Sequence, residues 1–257
     1  MTTPRSRSVR ARLLLCTAAI AALGAQTLVA PATAQAAAPA LPVAQASPAS
    51  ATSSATASHY TFLGLQPDGW NPIRWNPCVP TITYKINLDG APRSELTAML
   101  KAVATVKAAT HLPLRYGGTT TVMPTLRSEA DGSMVSTARA NIVIAFARPG
   151  TGRGRSDILK NDNKSRGGIN WASFYGPDGL GLRASAGVVV ITWSHLALPP
   201  VVRRAIYLHE LAHAMGLGHV TDRSQLMYPM VSVYSFGRGD LAGLARVGAH
   251  PGCLSST

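Results

Sequence analysis

Eleven consecutive residues, His209-Glu210-Leu211-Ala212-His213-Ala214-Met215-Gly216-Leu217-Gly218-His219, constrain this chain more than any other feature. Residues four apart on an α-helix stack one turn above each other, so His209 and His213 aim their imidazoles at one point. Gly216 is free to take a positive φ and end the helix, which lets the chain swing His219 back as a third nitrogen donor. Three neutral imidazoles suit zinc, with bonds of about 2.0 to 2.1 Å and a fourth tetrahedral position left for water. Glu210 lies about 100° around the helix from His209 and can face that water without being a ligand. Zinc lowers the pKa of a bound water to about 7 and polarises a carbonyl, while the carboxylate accepts the proton and hands it to the departing amine. The chain has only three glutamates, Glu95, Glu129 and Glu210, and one of them stands here.

The rest of the sequence divides by composition. Arg5, Arg7, Arg10 and Arg12, without an acid among residues 1–12, precede an apolar run from Leu13 to about Ala25 and then small residues. That order reads as a secretory signal over 1–36, cut after Ala34 or Ala36. The run is Ala-rich, interrupted by Gly24 and Gln26, and short for a membrane anchor. Leu15 before Cys16 is the wrong context for lipidation. Residues 37–59 are Ala, Pro, Ser and Thr with almost no large apolar side chain, expected to be a disordered linker or short pro-segment. The catalytic domain is expected over 60–257. Without the four leader arginines, 20 Lys+Arg stand against 11 Asp+Glu, about +9. Such a surface favours anionic partners, an acidic cell-surface polymer among them, or simply solvates the fold. No interleaved aromatic and basic pattern points to nucleic acid, no second apolar stretch points to stable membrane insertion, and a monomer is expected.

Within the domain, 81–87 (TITYKIN) alternates as a strand, and 92–110 carries Leu96, Met99, Leu100, Val103 and Val106 on one helical face. A short extended piece at 114–116 is followed by 141–147 (NIVIAFA), a buried-strand pattern. A Gly- and Arg-rich loop is expected over 148–167, a short strand over 168–174 and a strong one over 187–193. Pro199 and Pro200 open a helix that runs to Met215, and a last short helix spans 240–247. Strand, helix, strand, strand is an α/β beginning.

HELAHAMGLGH, followed by Gln225-Leu226-Met227-Tyr228-Pro229, resembles the metzincin zinc peptidases with their Met-turn, and the Met-Tyr-Pro order is closest to the matrixins. NIVIAFA is similar to the central matrixin strand, and 239–244 to the closing helix. The resemblance spans roughly 80–253 and is highly specific over 209–229. It implies an α/β fold (α+β by some schemes): a mixed twisted sheet with two long helices, one of them the active-site helix, and a small irregular C-terminal subdomain ending in a short helix. It makes His209, His213 and His219 the ligands of one catalytic Zn2+, Glu210 the catalytic base and Met227 a hydrophobic floor beneath the metal. Asp240 would buttress the Met-turn, or else cap its helix.

By the same resemblance a substrate lies extended along an edge strand and adds to the sheet. The strand expected there is 168–174, with Gly168, Ile169, Asn170 and Trp171 as contacts and 187–193 as its alternative. Pro229, Met230, Val231, Val233 and Tyr234 would wall an apolar pocket. Tyr228 is not expected to be a fifth ligand, because the clan's ligating tyrosine falls where this chain has Pro229. His195 is the only histidine between 112 and 208, so no second, structural zinc is expected. Calcium has weak support: Asp157, Asp162, Asn163 and Asp178 carry suitable oxygens, but loop solvation is the preferred reading.

Cys78 and Cys253 are the two thiols outside the leader, and they bracket the domain; in an oxidising compartment a disulfide between them is expected. No pro-segment cysteine motif precedes Tyr60. The reading that emerges is a secreted, extracellular zinc endopeptidase acting on polypeptides. A non-catalytic zinc module on anionic cell-surface polymers and a zinc amidase on cell-wall peptides are its rivals.

Overall fold

The computed structural model describes residues 59–126, 134–135, 138–160, 162, 164–177 and 179–254. The expected leader and all but the last residue of the linker lie outside them, as do Glu129, Asn163 and Asp178. The described residues belong to one compact unit, 53–257. No helix among them is long and apolar enough to cross a membrane.

The strands are Thr61–Phe62 (β1), Ile82–Asn87 (β2), Leu114–Thr119 (β3), Thr125–Leu126 (β4), Met134–Val135 (β5), Ile142–Pro149 (β6), Arg155–Ser156 (β7), Arg166–Gly176 (β8), Gly179–Thr192 (β9) and Leu217–Gly218 (β10). The helices are Arg93–Thr110 (α1), Pro200–Met215 (α2) and Arg238–Val247 (α3), with a 3₁₀ turn at Trp193–Ala197 before α2. The main sheet has the order β3-β2-β6-β9-β8. Its first four strands are parallel, and β8 runs antiparallel to β9 at the edge. The expected α/β class and mixed sheet are therefore present, with α3 as the closing short helix.

Alternation of side chains across the pleat gives the sheet two apolar faces. Val189 and Ile191 of β9 join Ile142, Ile144 and Phe146 of β6 in the main core, under α1 and α2. Val188 and Val190 face the other way, against Ala147, Ile158 and Leu159. Both central strands are thus buried on two sides, which is why they read as continuous apolar runs.

Several expectations shift. The segment 187–193 is not an edge strand, because β9 is paired on both sides, with β6 and with β8. Trp193 opens the 3₁₀ turn instead of ending the strand. The hairpin arms are also longer than expected, since 179–186 is rich in Gly, Ala and Ser and carries little strand preference of its own. Pairing supplies what propensity lacks: Leu182 donates its N–H to the Gln66 side chain at 2.8 Å and accepts from it at 2.6 Å, so one side chain continues the ladder. The loop expected over 148–167 contains β7 and the start of β8, and the extended piece at 114–116 continues to Thr119 as the opposite sheet edge.

Cys78 and Cys253 form a disulfide with Cα atoms 5.4 Å apart. Around it Arg74 donates to the Gly252 carbonyl at 2.8 Å, and Asn76 accepts the backbone N–H groups of Cys78 and Leu254.

Candidate metal centre

Helix α2 starts at Pro200, whose missing N–H costs nothing in the first turn, and stops at Gly216. Gly216 has φ 117°, and its N–H reaches the carbonyls of Ala212 and His213 at 3.1 and 2.9 Å. A side chain there would be strained by that φ and would press on the Ile73 carbonyl at 3.2 Å. The turn sends the chain into β10, which pairs with β1, and the Thr61 hydroxyl donates to the His219 carbonyl at 2.7 Å. His219 is thereby returned over the helix.

The three Nε2 atoms of His209, His213 and His219 form a triangle with every side 3.1 Å. His209 and His213 are buried and His219 is exposed. The Nδ1 of His209 points at the Leu226 carbonyl and that of His213 at the Leu217 carbonyl, each at 2.7 Å. A carbonyl oxygen only accepts, so both Nδ1 atoms carry the proton and both Nε2 atoms of the neutral rings present lone pairs. Two lone pairs 3.1 Å apart repel unless a cation lies between them. Tetrahedral zinc with bonds of about 2.0 to 2.1 Å holds its ligand nitrogens about 3.3 Å apart, so the cradle fits that ion. Burial pushes the His209 ring down to about 4 and the His213 ring down to about 3, and it also lowers His219. All three are neutral, as ligands must be, at physiological pH.

Glu210 is buried beside this group, and desolvation raises its carboxyl to about 8, opposed by the positive charge of Arg166 and a backbone hydrogen bond from Gly167. Strand β8 passes so close to α2 here that a Cβ on Gly167 would overlap the Glu210 carbonyl oxygen.

Leu226, whose carbonyl meets His209, and Met227 are both buried in the main core. The Asp240 carboxylate, fully buried, accepts the N–H groups of Leu226 at 2.6 Å, Met227 at 3.2 Å and Gly237 at 2.9 Å. It therefore does both things its sequence context suggested, tying the turn and capping α3. The acid fixes the turn, and the turn's Leu226 carbonyl fixes the tautomer of His209.

The histidines and Glu210 open into a cleft of about 640 Å³. Of the expected pocket residues, Pro229, Met230 and Val231 line it, whereas Tyr234 is half exposed outside it. Of the expected strand contacts none lines it. Gly168 and Ile169 are buried, with Ile169 in the main core, Trp171 is exposed, and a register shift falls between Asn170 and Trp171. The strand wall is built a few residues earlier, by Lys164, Ser165, Arg166 and Gly167, with His195 from the 3₁₀ turn beside them. The Gly167-Gly168 pair was the available clue, because glycine inside a strand marks a close backbone approach. Of the calcium candidates, Asp157 accepts the Leu126 N–H at 2.8 Å and Asp162 pairs with Arg166. Among the described residues, the three histidines are the single group of three or more donors placed to hold a metal.

A mixed sheet above a helix bearing two of three convergent imidazoles, with a buried acid between them in sequence, defines a zinc metallopeptidase type of centre. The matrixin family model matches residues 201–243, from the first turn of α2 into α3. That match and the histidine group together fit a matrixin-like zinc metalloprotease. A search of the curated proteins finds no match to the chain.

Proposed function

We propose that the chain is a secreted zinc-dependent endopeptidase. The observation that carries the reading is the 3.1 Å triangle of Nε2 atoms with Glu210 in the same cleft. When bound by His209, His213 and His219, zinc supplies a Lewis acid for the scissile carbonyl and acidifies a water. Glu210 is the proton carrier. Without metal, burial raises its carboxyl to about 8 even against Arg166 and Gly167, and a dication held by the histidines would favour its ionised form. A carboxyl poised there takes a proton from the attacking water and returns it to the leaving amine. The polypeptide lies against the free edge of β8, whose main chain pairs with it, and Pro229, Met230 and Val231 receive an apolar side chain. Met227 serves as the floor, Asp240 holds it, and His213 and His209 keep their tautomers through Leu217 and Leu226. Export rests on the basic, then apolar, then small-residue leader, and an extracellular disulfide between Cys78 and Cys253 accords with it. The leader is removed, and a monomer works on soluble polypeptide.

The test is cleavage of casein and of a mixed peptide library by the secreted chain, with and without chelator, beside metal analysis. Glu210→Gln should keep one zinc per chain and lose about 10² to 10⁴ in rate; unchanged turnover would sink the assignment. Bound zinc with no cleavage of any polypeptide would favour a non-catalytic module. Hydrolysis of cell-wall peptides alone would favour an amidase.

A further inference from the structure

The cleft is lined by two unlike sets of side chains. Leu63, Ile206, Pro229, Met230 and Val231 are apolar, while Lys164 and Arg166 are cationic. Glu210 is the sole carboxylate among the residues that line it. Asp162 serves both cations: it pairs with Arg166 and lies in the field of Lys164. Among the described residues Lys164 has no ion pair of its own. The strip keeps net positive charge. It is also held in place, since Arg166 donates to the Ser165 carbonyl at 3.1 Å, and the Ser165 hydroxyl accepts the Thr192 N–H at 3.1 Å and meets His195 Nδ1 at 2.9 Å. Both cations line the same cleft as His219 and Glu210.

An extended peptide turns successive side chains to opposite sides. Laid in this cleft, it brings side chains near the bond held at the histidines within reach of Lys164 and Arg166 as well as of the apolar residues. We propose that the cleft selects polypeptides bearing Asp or Glu close to the bond held at the histidine group, and that Lys164 and Arg166 are the residues that read that carboxylate. The proposal rests on the endopeptidase reading above and names its substrate class.

The experiment takes one library peptide that zinc-loaded Glu210→Gln captures and remakes it with Glu, Gln or Lys at each position flanking its centre. For the zinc-loaded protein kcat and KM are measured, and for zinc-loaded Glu210→Gln the peptide Kd by fluorescence anisotropy. At one flanking position Glu should exceed Lys by about three- to ten-fold in both kcat/KM and affinity, mainly through KM, and the ratio should shrink in high salt. Lys164→Glu should retain zinc and reverse the order, preferring Lys. Cleavage or binding indifferent to these changes overturns the proposal while leaving the endopeptidase reading intact. Acidic preference in binding to Glu210→Gln, without cleavage by the parent protein, supports the proposal and defeats that reading. Preference for Lys in the parent protein overturns the proposal outright.

Discussion

The Asp240 carboxylate accepts the Leu226 N–H at 2.6 Å, while the carbonyl of that same Leu226 accepts the Nδ1–H of His209 at 2.7 Å. One buried acid on α3 is thus two bonds removed from the histidine cradle. Asp240→Ala leaves three backbone donors without a partner, each at about 1 to 3 kcal/mol, and frees the turn that orients His209. Asp240→Asn keeps the shape but offers one acceptor oxygen instead of two. We expect Asn to weaken zinc binding about 10- to 100-fold, as loss of an outer partner of a metal ligand does, and Ala to lower stability as well. Chelator competition and denaturant titration of both variants measure this; wild-type zinc affinity in the Asn variant would separate Asp240 from the site.

The pH dependence of the metal-free protein follows from three buried groups. His209 and His213 are depressed to about 4 and about 3 from 6.5, so below pH 6.5 the unfolded chain binds more protons and their contribution is lost as pH falls. Glu210 is raised to about 8 from 4.5, so the folded state holds the extra proton and its contribution is lost as pH rises toward 8. Between 4.5 and 6.5 these two histidines, with His219 lowered in the same sense, outweigh one glutamate, and stability increases with pH; from 6.5 to 8 the glutamate acts alone, and stability decreases. A maximum near pH 6.5 is expected, with an alkaline limb of up to about 1.4 kcal/mol per pH unit. Chemical denaturation across pH 5 to 8 with chelator present reads the curve. Glu210→Gln should remove the alkaline limb and steepen the acid one, and persistence of the alkaline limb would contradict the buried carboxyl.

How much of this was legible in sequence depends on how local each cause is. The His209, His213, Gly216 and His219 arrangement is written in one helix and one turn, so spacing alone placed it. Strand β6 showed as an apolar run because both its faces are buried, whereas β2 showed by alternation. The position of β9 inside the sheet did not show, since an interior strand and an edge strand packed on one side carry similar runs; only pairing with β8 distinguishes them. The cationic part of the cleft lining escaped for a related reason. Lys164 and Arg166 sit in what reads as a solvated loop, and the approach of β8 to α2 at Gly167 brings them to the cleft. Glu95 reads as an ordinary acid in the first turn of α1, yet it is buried against α2.

The disulfide closes a sequence separation of 175 residues. Chain entropy assigns such a loop about 5 kcal/mol. The double variant Cys78→Ser, Cys253→Ser should therefore lose about 10 to 20 °C in Tm for a domain of this size. It should bind zinc normally at low temperature, because neither cysteine lines the metal cleft. Calorimetry and metal analysis of the double variant check both halves, and an unchanged Tm would show that the crosslink does not constrain the unfolded chain.

Helices α1 and α2 are joined by a charged cluster in the core. The Tyr207 hydroxyl donates to Glu95 at 2.6 Å, Arg203 pairs with the other Glu95 oxygen at 3.0 Å, and Arg203 also donates to the Leu198 carbonyl at 2.6 Å. Tyr207 is fully buried and Glu95 is 4% exposed, so each group depends on the others for its solvation. Burial and the neighbouring carboxylate hold the Tyr207 phenol well above its ordinary pKa, which keeps it a donor. Removing the acid alone strands the guanidinium: Glu95→Leu should cost about 3 to 5 kcal/mol. Replacing both partners, Glu95→Leu with Arg203→Met, should recover most of that loss, since a well-packed apolar pair avoids the desolvation cost. Tyr207→Phe removes one hydrogen bond and should cost about 1 to 3 kcal/mol. Urea titration of these proteins and of the single Arg203→Met variant gives the coupling; strict additivity of the Glu95 and Arg203 effects would show that the pair carries no interaction.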